Sequence, residues 1–324
     1  MPRPIVDPRF PGRLRALRVG TGLSLRALAA TVYLSKTYLS DFERGTRTPT
    51  REHASRLDAA LSAGGALVAL VNDPGPAGYA HTHPGSADLA TVDQYAVALA
   101  DARRLEDQVG AAPLLAVATN RLATVEMLAR DARAPVRPPL ISTAGQWAQF
   151  AAWVHLATGR YGRARRLLDR ALAWASEVGD RELTATVLSF QGHAEWLDGG
   201  RAGPLIGLTE AALRDPTVYV GQRAYDRYQL GRGYALIGDR KGTVEALAAG
   251  ADLVEETLAY TGPRPPWHYY RSRAFFDLEA AIVYGLRGDQ CRAEELLQAG
   301  LAGLPEEMRA AEWAGMYRAA VSAP

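Results

Sequence analysis

Residues 23–45 read LSLRALAATVYLSKTYLSDFERG, and this stretch indicates two short helices joined by a tight turn. Ser24 stands where a helix N-cap is needed, because its hydroxyl can accept a hydrogen bond from a backbone N–H of the first turn. Leu25, Leu28 and Ala29 then fall on one face of the first helix. The segment therefore predicts an amphipathic helix that begins after a serine cap.

The second helix of the pair has the same kind of start and a glycine end. Ser35 is its predicted N-cap, and Leu39 and Phe42 turn inward. Gly45 follows where a residue in the left-handed conformation ends a helix well. The remaining polar side chains are predicted on the outer face of this helix: Lys36, Thr37, Tyr38, Ser40 and Asp41.

This pattern resembles the helix-turn-helix of the Cro/repressor-type, or xenobiotic-response-element, family of bacterial regulators. The Leu28-Ala29 pair, the ending Leu39-Ser40-x-Phe42-Glu43-x-Gly45 and Pro49 carry the resemblance. It extends from about residue 11 to residue 70 and includes a last helix near residues 50–61. The resemblance implies a five-helix lambda-repressor-like domain whose second helix of the pair lies in the major groove of double-stranded DNA.

The resemblance also implies roles for individual residues. The side chains expected on the DNA are Arg26, Ser35, Lys36, Thr37, Tyr38, Ser40, Arg44 and Arg47. Those at the start of the second helix would meet base edges, and the three arginines would contact phosphates, which position the protein without reading sequence. A plain helical bundle with a solvated polar face is the alternative.

Two residues depart from the family pattern. Leu25 stands where a glutamine is usual, which removes one contact to the backbone or a base. Tyr33 stands where the turn usually has a glycine, and a left-handed conformation costs a non-glycine residue on the order of 1 kcal/mol. The turn is therefore expected to form with some strain.

The charge distribution favours DNA as the partner of the N-terminal part. Residues 1–75 contain 11 Lys/Arg against 6 Asp/Glu, whereas the rest of the 324-residue chain contains 26 against 29. A local net charge of +5 beside −3 elsewhere suits a phosphate-binding surface.

Length and composition predict two domains and no membrane segment. We expect a DNA-binding domain over residues 1–72, a Pro/Gly-rich linker over 73–86 and a helical domain over 87–324. The start of the sequence has no apolar secretory signal, and no stretch is long and apolar enough to span a membrane. The cytoplasm is the expected compartment.

The C-terminal part repeats. A glycine near the end of one amphipathic segment, followed by another such segment, recurs at Gly159, Gly199, Gly238 and Gly288. These recurring glycines and helical segments resemble the tetratricopeptide repeat, which predicts an α-solenoid for the C-terminal part. Because the sequence also lacks strand patterns, we expect an all-α protein. A generic bundle of Ala-rich helix pairs is the alternative.

If the repeats stack as a solenoid, aromatic and polar side chains of successive units lie on its inner face. We expect an effector site there, formed by Trp153, His193, Trp196, Tyr228 and Arg232. Arg232 would pair with an anionic group such as a peptide carboxylate, unless it pairs with Glu195 or Asp226. An aromatic stripe that is only hydrophobic core is the competing interpretation.

The segment 263–271 interrupts the repeats with aromatic and basic residues. It is either an insertion that contacts the ligand or a loop packed on its own rings.

No catalytic, cofactor or metal motif is recognisable, so we expect neither an enzyme nor a cofactor. The His81-Thr82-His83 pair in the predicted linker lacks a third ligand nearby.

The leading hypothesis is a transcription regulator that binds DNA as a homodimer and senses a peptide or small molecule. This architecture resembles the peptide-sensing quorum regulators of Gram-positive bacteria and the repeat-bearing regulators of high-GC filamentous bacteria. The alternative is a protein-interaction adaptor, in which the repeats bind a protein partner and the DNA-binding part only localises it.

Overall fold

The computed structural model of the protein describes residues 5–72, 87–309 and 311–322. The chain divides into two compact units, residues 1–94 and 95–324. The predicted linker over residues 73–86, with its two histidines, lies outside the described residues. None of the described helices combines the length and apolar character needed to cross a membrane.

The first unit is built from short helices and one small ribbon. Its elements are β1 (Ile5–Val6), α1 (Phe10–Gly20), α2 (Leu25–Thr31), α3 (Lys36–Arg44), α4 (Arg51–Leu61), a 3-10 turn (Val68–Leu70) and β2 (Val71–Asn72). The two strands pair antiparallel, with Val6 opposite Val71. The fold is therefore all-α apart from this two-residue ladder, and the fifth helical segment of the unit is a single 3-10 turn.

Serine and threonine caps start the helices of this unit. The hydroxyl of Ser24 accepts a hydrogen bond from the Ala27 N–H, and that of Ser35 accepts one from the Tyr38 N–H, both at 3.1 Å. Thr50 and His53 form a reciprocal capping box at the start of α4. Such caps satisfy N–H groups that have no partner inside a helix, so the polar residues of the sequence fix where each helix begins.

The turn between α2 and α3 takes the strained conformation that the sequence predicts. Tyr33 has φ = +55°, in the left-handed region that a glycine adopts without steric cost. Two backbone hydrogen bonds, from Tyr33 N–H to the Ala30 carbonyl and from Leu34 N–H to the Ala29 carbonyl, hold this turn. Gly45, also left-handed, ends α3.

One hydrophobic core holds the four helices together. Its fully buried side chains include Phe10 and Leu14 from α1, Leu28 from α2, and Leu39 and Phe42 from α3. These are the apolar positions at helical spacing in the sequence, so their burial sets which face of α3 points outward.

The second unit is a series of helices. They are α5 (Leu89–Val109, beginning in the first unit), α6 (Leu115–Asp131), α7 (Arg137–Ala157), α8 (Tyr161–Val178), α9 (Arg181–Leu197), α10 (Ala202–Ala212), α11 (Val220–Leu236), α12 (Arg240–Ala259), α13 (Arg273–Leu286), α14 (Gln290–Gly303), α15 (Glu306–Arg309) and α16 (Glu312–Ser322).

Four helix pairs repeat: α7 with α8, α9 with α10, α11 with α12, and α13 with α14. The turn inside each pair contains a left-handed glycine, and these are Gly159, Gly199, Gly238 and Gly288. The glycines that mark the repeats in the sequence are thus the residues that allow each tight reversal. The second unit is a tetratricopeptide-like α-solenoid.

The first helices of the pairs form an inner row, because α7 packs on α9, α9 on α11, and α11 on α13. The last helix, α16, packs on α13 and α14. It covers the end of the row, as a terminal cap of a solenoid must.

Close helix packing in the last pair depends on Gly300. A Cβ atom at this position would lie 2.8 Å from the Ala274 carbonyl oxygen and 2.7 Å from the Leu278 side chain, both on α13. We expect Gly300→Ala to destabilise the protein by about 1–3 kcal/mol, because backbone of α13 would have to move. Thermal unfolding followed by circular dichroism measures the change.

Gly207→Ala is the matched control. Gly207 lies inside α10, and a Cβ atom there would meet nothing within 4 Å. Removing a helical glycine at an open position should raise stability by about 0.5–1 kcal/mol. An unchanged or higher melting temperature for Gly300→Ala would contradict the packing argument.

Candidate functional site

The start of α3 presents two exposed polar side chains on a rigid helix. Lys36 and Thr37 are exposed, and neither has a side-chain partner among the described residues. Their neighbour Ser35 is exposed as well, but its hydroxyl oxygen is occupied by the cap to Tyr38 N–H. Ser40 lies one turn further on and is half-buried. The capped N-terminal turn of α3 therefore offers side chains whose hydrogen-bonding groups are free for a partner.

Tyr38 is held by its neighbours instead of projecting freely. Its half-buried ring lies edge-on to Phe42 at 5.3 Å between centroids and 5.8 Å from the His53 ring. The guanidinium of Arg47 stacks over the same ring at 3.9 Å. Tyr38 thus joins α3 to α4 and also positions Arg47.

The three arginines expected on phosphates stand in different surroundings. Arg26, on α2, is exposed and has no ion-pair partner among the described residues. Arg44 pairs with Asp41 at 2.6 Å, and Arg47 lies 3.7 Å from the same carboxylate. Exposed pairs of this kind contribute only about 0–1 kcal/mol, so a phosphate could replace Asp41 at little cost.

A second candidate site lies inside the repeat unit, in a cavity of about 120 Å³. That volume exceeds what one water molecule requires. The inner row of helices forms one wall, and α5, α16 and the predicted insertion form the other. The lining side chains are Arg103, Glu106, Asp107, Gln149, Phe150, Trp153, Phe190, His193, Trp196, Tyr225, Arg232, Trp267, Tyr269, Tyr270, Arg271, Phe275, Ile282, Trp313, Met316 and Tyr317.

The carboxylate of Asp107 joins the elements that close the cavity. It accepts a hydrogen bond from the Tyr269 hydroxyl at 2.5 Å and one from the Trp313 indole N–H at 2.9 Å. Close by, the Ala111 N–H donates to the Glu312 carboxylate at 2.9 Å. The first helix of the repeat unit is therefore in contact with the insertion and with the last helix across the inner face.

Arg232 lies at the centre of the inner row and is 0% exposed. Its Nη2 donates to the buried carboxylate of Glu279, which also accepts from the Tyr317 hydroxyl. Its guanidinium lies 4.5 Å from the centre of the Trp196 ring. Nε and Nη1 have no hydrogen-bond partner among the described residues. Buried N–H groups of an arginine without an acceptor are costly to the stability of the fold.

Two further guanidinium groups face the cavity. Arg271 is satisfied, because it donates to the His268 ring, the Gly221 carbonyl and the Gln222 side chain at 2.8–3.0 Å. Arg103 has only the Gln149 side-chain oxygen, at 3.4 Å, and no carboxylate at ion-pair distance among the described residues. Burial lowers the pKa of Arg103 to about 10, so it remains protonated at neutral pH.

Burial also changes two other ionisable groups of the wall. It lowers the pKa of His193 to about 3, helped by the nearby Arg232 charge, so the imidazole is neutral. It raises the pKa of Glu106 to about 7; a hydrogen bond with Trp153 opposes this, and repulsion from Asp107 and Glu312 adds to it. Glu106 is therefore partly protonated at neutral pH.

Comparison with known proteins bears on the first unit. The family model described as a helix-turn-helix domain matches residues 10–71. The N-terminal unit is a helix-turn-helix DNA-binding domain. It is of the xenobiotic-response-element type, as its sequence pattern predicts. No curated protein matches the chain.

Two solved structures resemble the chain at a distance. One, from Podosopora anserina, is assigned as a kinesin light chain with nearly identical TPR-like repeats; it is 18% identical and has a TM-score of 0.36, over 63% of this chain and 92% of that chain. The other is Bacillus thuringiensis PlcR in complex with the peptide PapR7 and DNA, which is 14% identical with a TM-score of 0.39, over 98% and 99% of the two chains. At these TM-scores neither likeness bears on what this chain binds.

The repeat unit brings together most of the side chains expected at an effector site. The same cavity is lined by Trp153, His193, Trp196 and Arg232, whereas Tyr228 is not part of its wall. Tyr228 packs against Phe276 and over Gly250 in the hydrophobic core. Its position on the helix turns it toward the second helix of its own pair, so it lies outside this cavity.

Arg232 pairs with an acidic side chain, as in the alternative interpretation, but the partner is Glu279 of the next repeat. Neither acidic partner considered from the sequence is available. Glu195 pairs with Arg165, and Asp226 accepts hydrogen bonds from Ser189 and Gln222. Arg232 and Glu279 are neighbours because of the way α13 packs on α11. The spacing of residues in the sequence does not reveal this packing.

Several residues that line the cavity were not predicted from the sequence to belong to the effector site. Arg103, Glu106 and Asp107 lie on α5, before the first repeat, and Trp313 lies on α16, after the last one. One signal was present, since Glu106 continues the spacing of the buried Leu99 and Ala102 along α5. A charged residue in register with an apolar stripe indicates a polar group facing an interior.

The helix-turn-helix domain likewise holds an ion pair that the sequence did not predict. Arg18 of α1 donates to both oxygens of Glu43 at 2.6 and 3.0 Å and to the Leu23 carbonyl at 2.9 Å. Glu43, part of the family signature, therefore anchors the end of α3 to α1.

We expect Tyr38→Ala to destabilise the helix-turn-helix domain by about 1–3 kcal/mol, because it removes a partly buried ring. Thr37→Ala should change stability by less than about 0.5 kcal/mol, since the side chain is exposed. Chemical denaturation followed by circular dichroism separates the two. Equal stabilities would show that Tyr38 does not join α3 to α4.

Glu106 should make stability depend on pH. Its folded pKa of about 7 lies above the ordinary value of 4.5, so the stabilisation is present below pH 4.5 and lost as pH rises through 7. We expect Glu106→Gln to stabilise the protein relative to the wild type more at pH 8 than at pH 5, by about 1–3 kcal/mol. Melting temperatures at both pH values test this. The exposed Glu256→Gln is the control and should show no such difference.

Proposed function

We propose that this protein is a sequence-specific transcription regulator that binds duplex DNA as a homodimer and responds to an effector in its repeat domain. The observation that carries the proposal is the capped start of α3, where Lys36 and Thr37 are exposed and unpaired in a domain of known DNA-binding type. In such domains this turn enters the major groove and its side chains meet base edges.

The proposed division of roles follows the surroundings of each side chain. Lys36 and Thr37 read bases, while Ser40 and Tyr38 are less free to do so because they are half-buried. Arg26, Arg44 and Arg47 hold phosphates, and Arg47 is positioned for this by the Tyr38 ring. Ser35 contributes mainly as the cap that orients the helix.

A homodimer is proposed because a single helix-turn-helix domain makes few contacts with base edges. Two helix-turn-helix domains related by a two-fold axis double those contacts, and their symmetry requires a symmetric DNA site. The second unit, which is large and separate, is the proposed site of dimerisation and of effector binding. This role places the protein in the cytoplasm with its DNA.

The effector site is proposed at the repeat-domain cavity. Its support is a partly open cavity with a mainly aromatic wall and a few polar groups, of which Arg232 has N–H groups without a partner among the described residues. Binding sites for small molecules have this composition. A peptide or small molecule that fills the cavity would change the packing of α5 and α16 against the inner row.

The adaptor hypothesis keeps one observation in its favour. Val97 and Leu105 on α5 and Val117 on α6 are exposed by 61%, 44% and 45%. Apolar side chains on a surface can bind another protein. In that case the purified chain would show no specific DNA binding without its partner.

Selection from random duplex DNA on the full-length protein tests the proposal. We expect a near-palindromic site with half-sites about 10 base pairs apart, or a multiple of that. Thr37→Ala should relax the preference at one base pair per half-site by about 1–3 kcal/mol. Arg26→Ala should weaken binding to all sequences and reduce the salt dependence by about one unit per phosphate contact.

The outcomes separate the claims. If no sequence is enriched, the proposed function is wrong. If only asymmetric single sites are recovered, the homodimer is wrong. If Thr37→Ala and Arg26→Ala behave alike, the assignment of base-reading and phosphate-binding residues is wrong.

A further inference from the structure

We infer that the repeat-domain cavity binds a small aromatic monocarboxylate, whose anionic group is held by Arg232 and Arg103. This inference rests on the proposed effector site and specifies its ligand.

The free donors are on buried arginines. Arg232 is fully buried, and its Nε and Nη1 have no acceptor among the described residues, although its Nη2 is bonded to Glu279. Arg103, 7% exposed, has one long hydrogen bond and no carboxylate at ion-pair distance in that same part of the chain. A carboxylate is the acceptor that best matches unpaired guanidinium N–H groups.

The charged side chains around the cavity would be balanced by one anionic ligand. Three guanidinium groups line it, those of Arg103, Arg232 and Arg271. Against them stand Asp107 and the buried partner Glu279, while Glu106 is partly protonated because burial raises its pKa to about 7. When Glu106 is protonated, the three guanidinium groups exceed these two carboxylates by one positive charge; the nearby Glu312 carboxylate is outside the lining and is bonded to the Ala111 N–H. A ligand with a single negative charge completes the balance, and a dianion exceeds it.

A cationic ligand does not fit, although aromatic walls can bind cations. The protein's own guanidinium groups already occupy ring faces: Arg232 over Trp196 at 4.5 Å, Arg271 over Tyr225 at 4.7 Å and Arg103 over Trp267 at 5.7 Å. The two oxygens of Asp107 are also taken, by Tyr269 and Trp313. An ammonium group would therefore meet like charges, and the remaining carboxyl of the lining is Glu106, which burial keeps partly protonated.

The body of the ligand should be flat and apolar. Rings from several elements line the cavity, among them Trp153, Phe190, Trp267 and Phe275. Aromatic groups pack on one another in edge-to-face or offset arrangements, which a planar ligand can complete.

The closure of the cavity limits ligand size. Asp107 bonds α5 to the insertion and to α16, and Glu312 bonds α16 to the turn after α5. An extended peptide could lie along the inner row only if these contacts opened. A single ring system with a short acidic arm needs no such opening.

Binding of three matched probes to the full-length protein tests the inference. The probes are indole-3-acetate, its neutral amide indole-3-acetamide and the cation tryptamine, with phenylacetate and phenylacetamide as a smaller pair. Tryptophan fluorescence and calorimetry report binding without DNA. We expect each carboxylate to bind about tenfold or more tightly than its amide, since charge-assisted bonds replace neutral ones, and tryptamine not to bind.

Two variants test the residues. Arg103→Gln should remove most of the carboxylate preference while leaving the affinity for the amide unchanged. The double variant Arg232→Met with Glu279→Met removes a buried pair together, which proteins tolerate better than the loss of one partner, and should act in the same way. Arg214→Gln, outside the cavity, is the control and should keep the wild-type preference. Melting temperatures confirm that each variant is folded.

The outcomes are distinct from those of the proposed function. If no carboxylate binds more tightly than its amide, or if Arg103→Gln weakens acid and amide equally, the inference is wrong. If a mixed library of short peptides binds and the aromatic acids do not, the ligand class is wrong while the effector site stands. Loss of the proposed function would appear separately, as failure to select a DNA sequence.

Discussion

The repeat domain is closed by the carboxylate of Asp107, which binds one side chain of the insertion and one of the last helix. These three elements are far apart in the chain, and each presents an aromatic or charged side chain inward. Burial raises the pKa of Asp107, and its hydrogen bonds with Tyr269 and Trp313 lower it, so ionisation depends on both partners being in place. The contact brings the three elements together beside the inner row of helices, where they line a partly open cavity.

The interior of that cavity has an unusual electrostatic cost. An ion pair such as Arg232 with Glu279 is seldom a net gain over well-packed apolar residues, because both charges lose their hydration. Here the pair also leaves guanidinium N–H groups without acceptors. A fold that needed only a core could replace both residues with apolar ones. The proposed effector would supply the acceptors that these N–H groups lack among the described residues.

Much of the helix-turn-helix domain follows from local rules, and the sequence predicts it well. Caps at Ser24 and Ser35, the inward Leu39 and Phe42, and the left-handed Tyr33 all depend on neighbours within a few residues. The repeat cavity is less predictable. Four of five expected side chains line it, because helical periodicity determines which face points inward. Tyr228 lies outside the cavity because neighbouring positions on one helix face can turn either to the cavity or to the partner helix.

The sequence by itself determined the helices, their caps, the repeat turns and the polar face of α3, because each depends on hydrogen bonds and apolar spacing within one or two turns. Only the tertiary structure decided that Glu279 pairs with Arg232, that Glu43 holds Arg18, and that the first and last helices enclose the repeats. These contacts join residues that are 25 or more positions apart. Their geometry comes from the angles at which whole helices pack, and no local pattern encodes those angles.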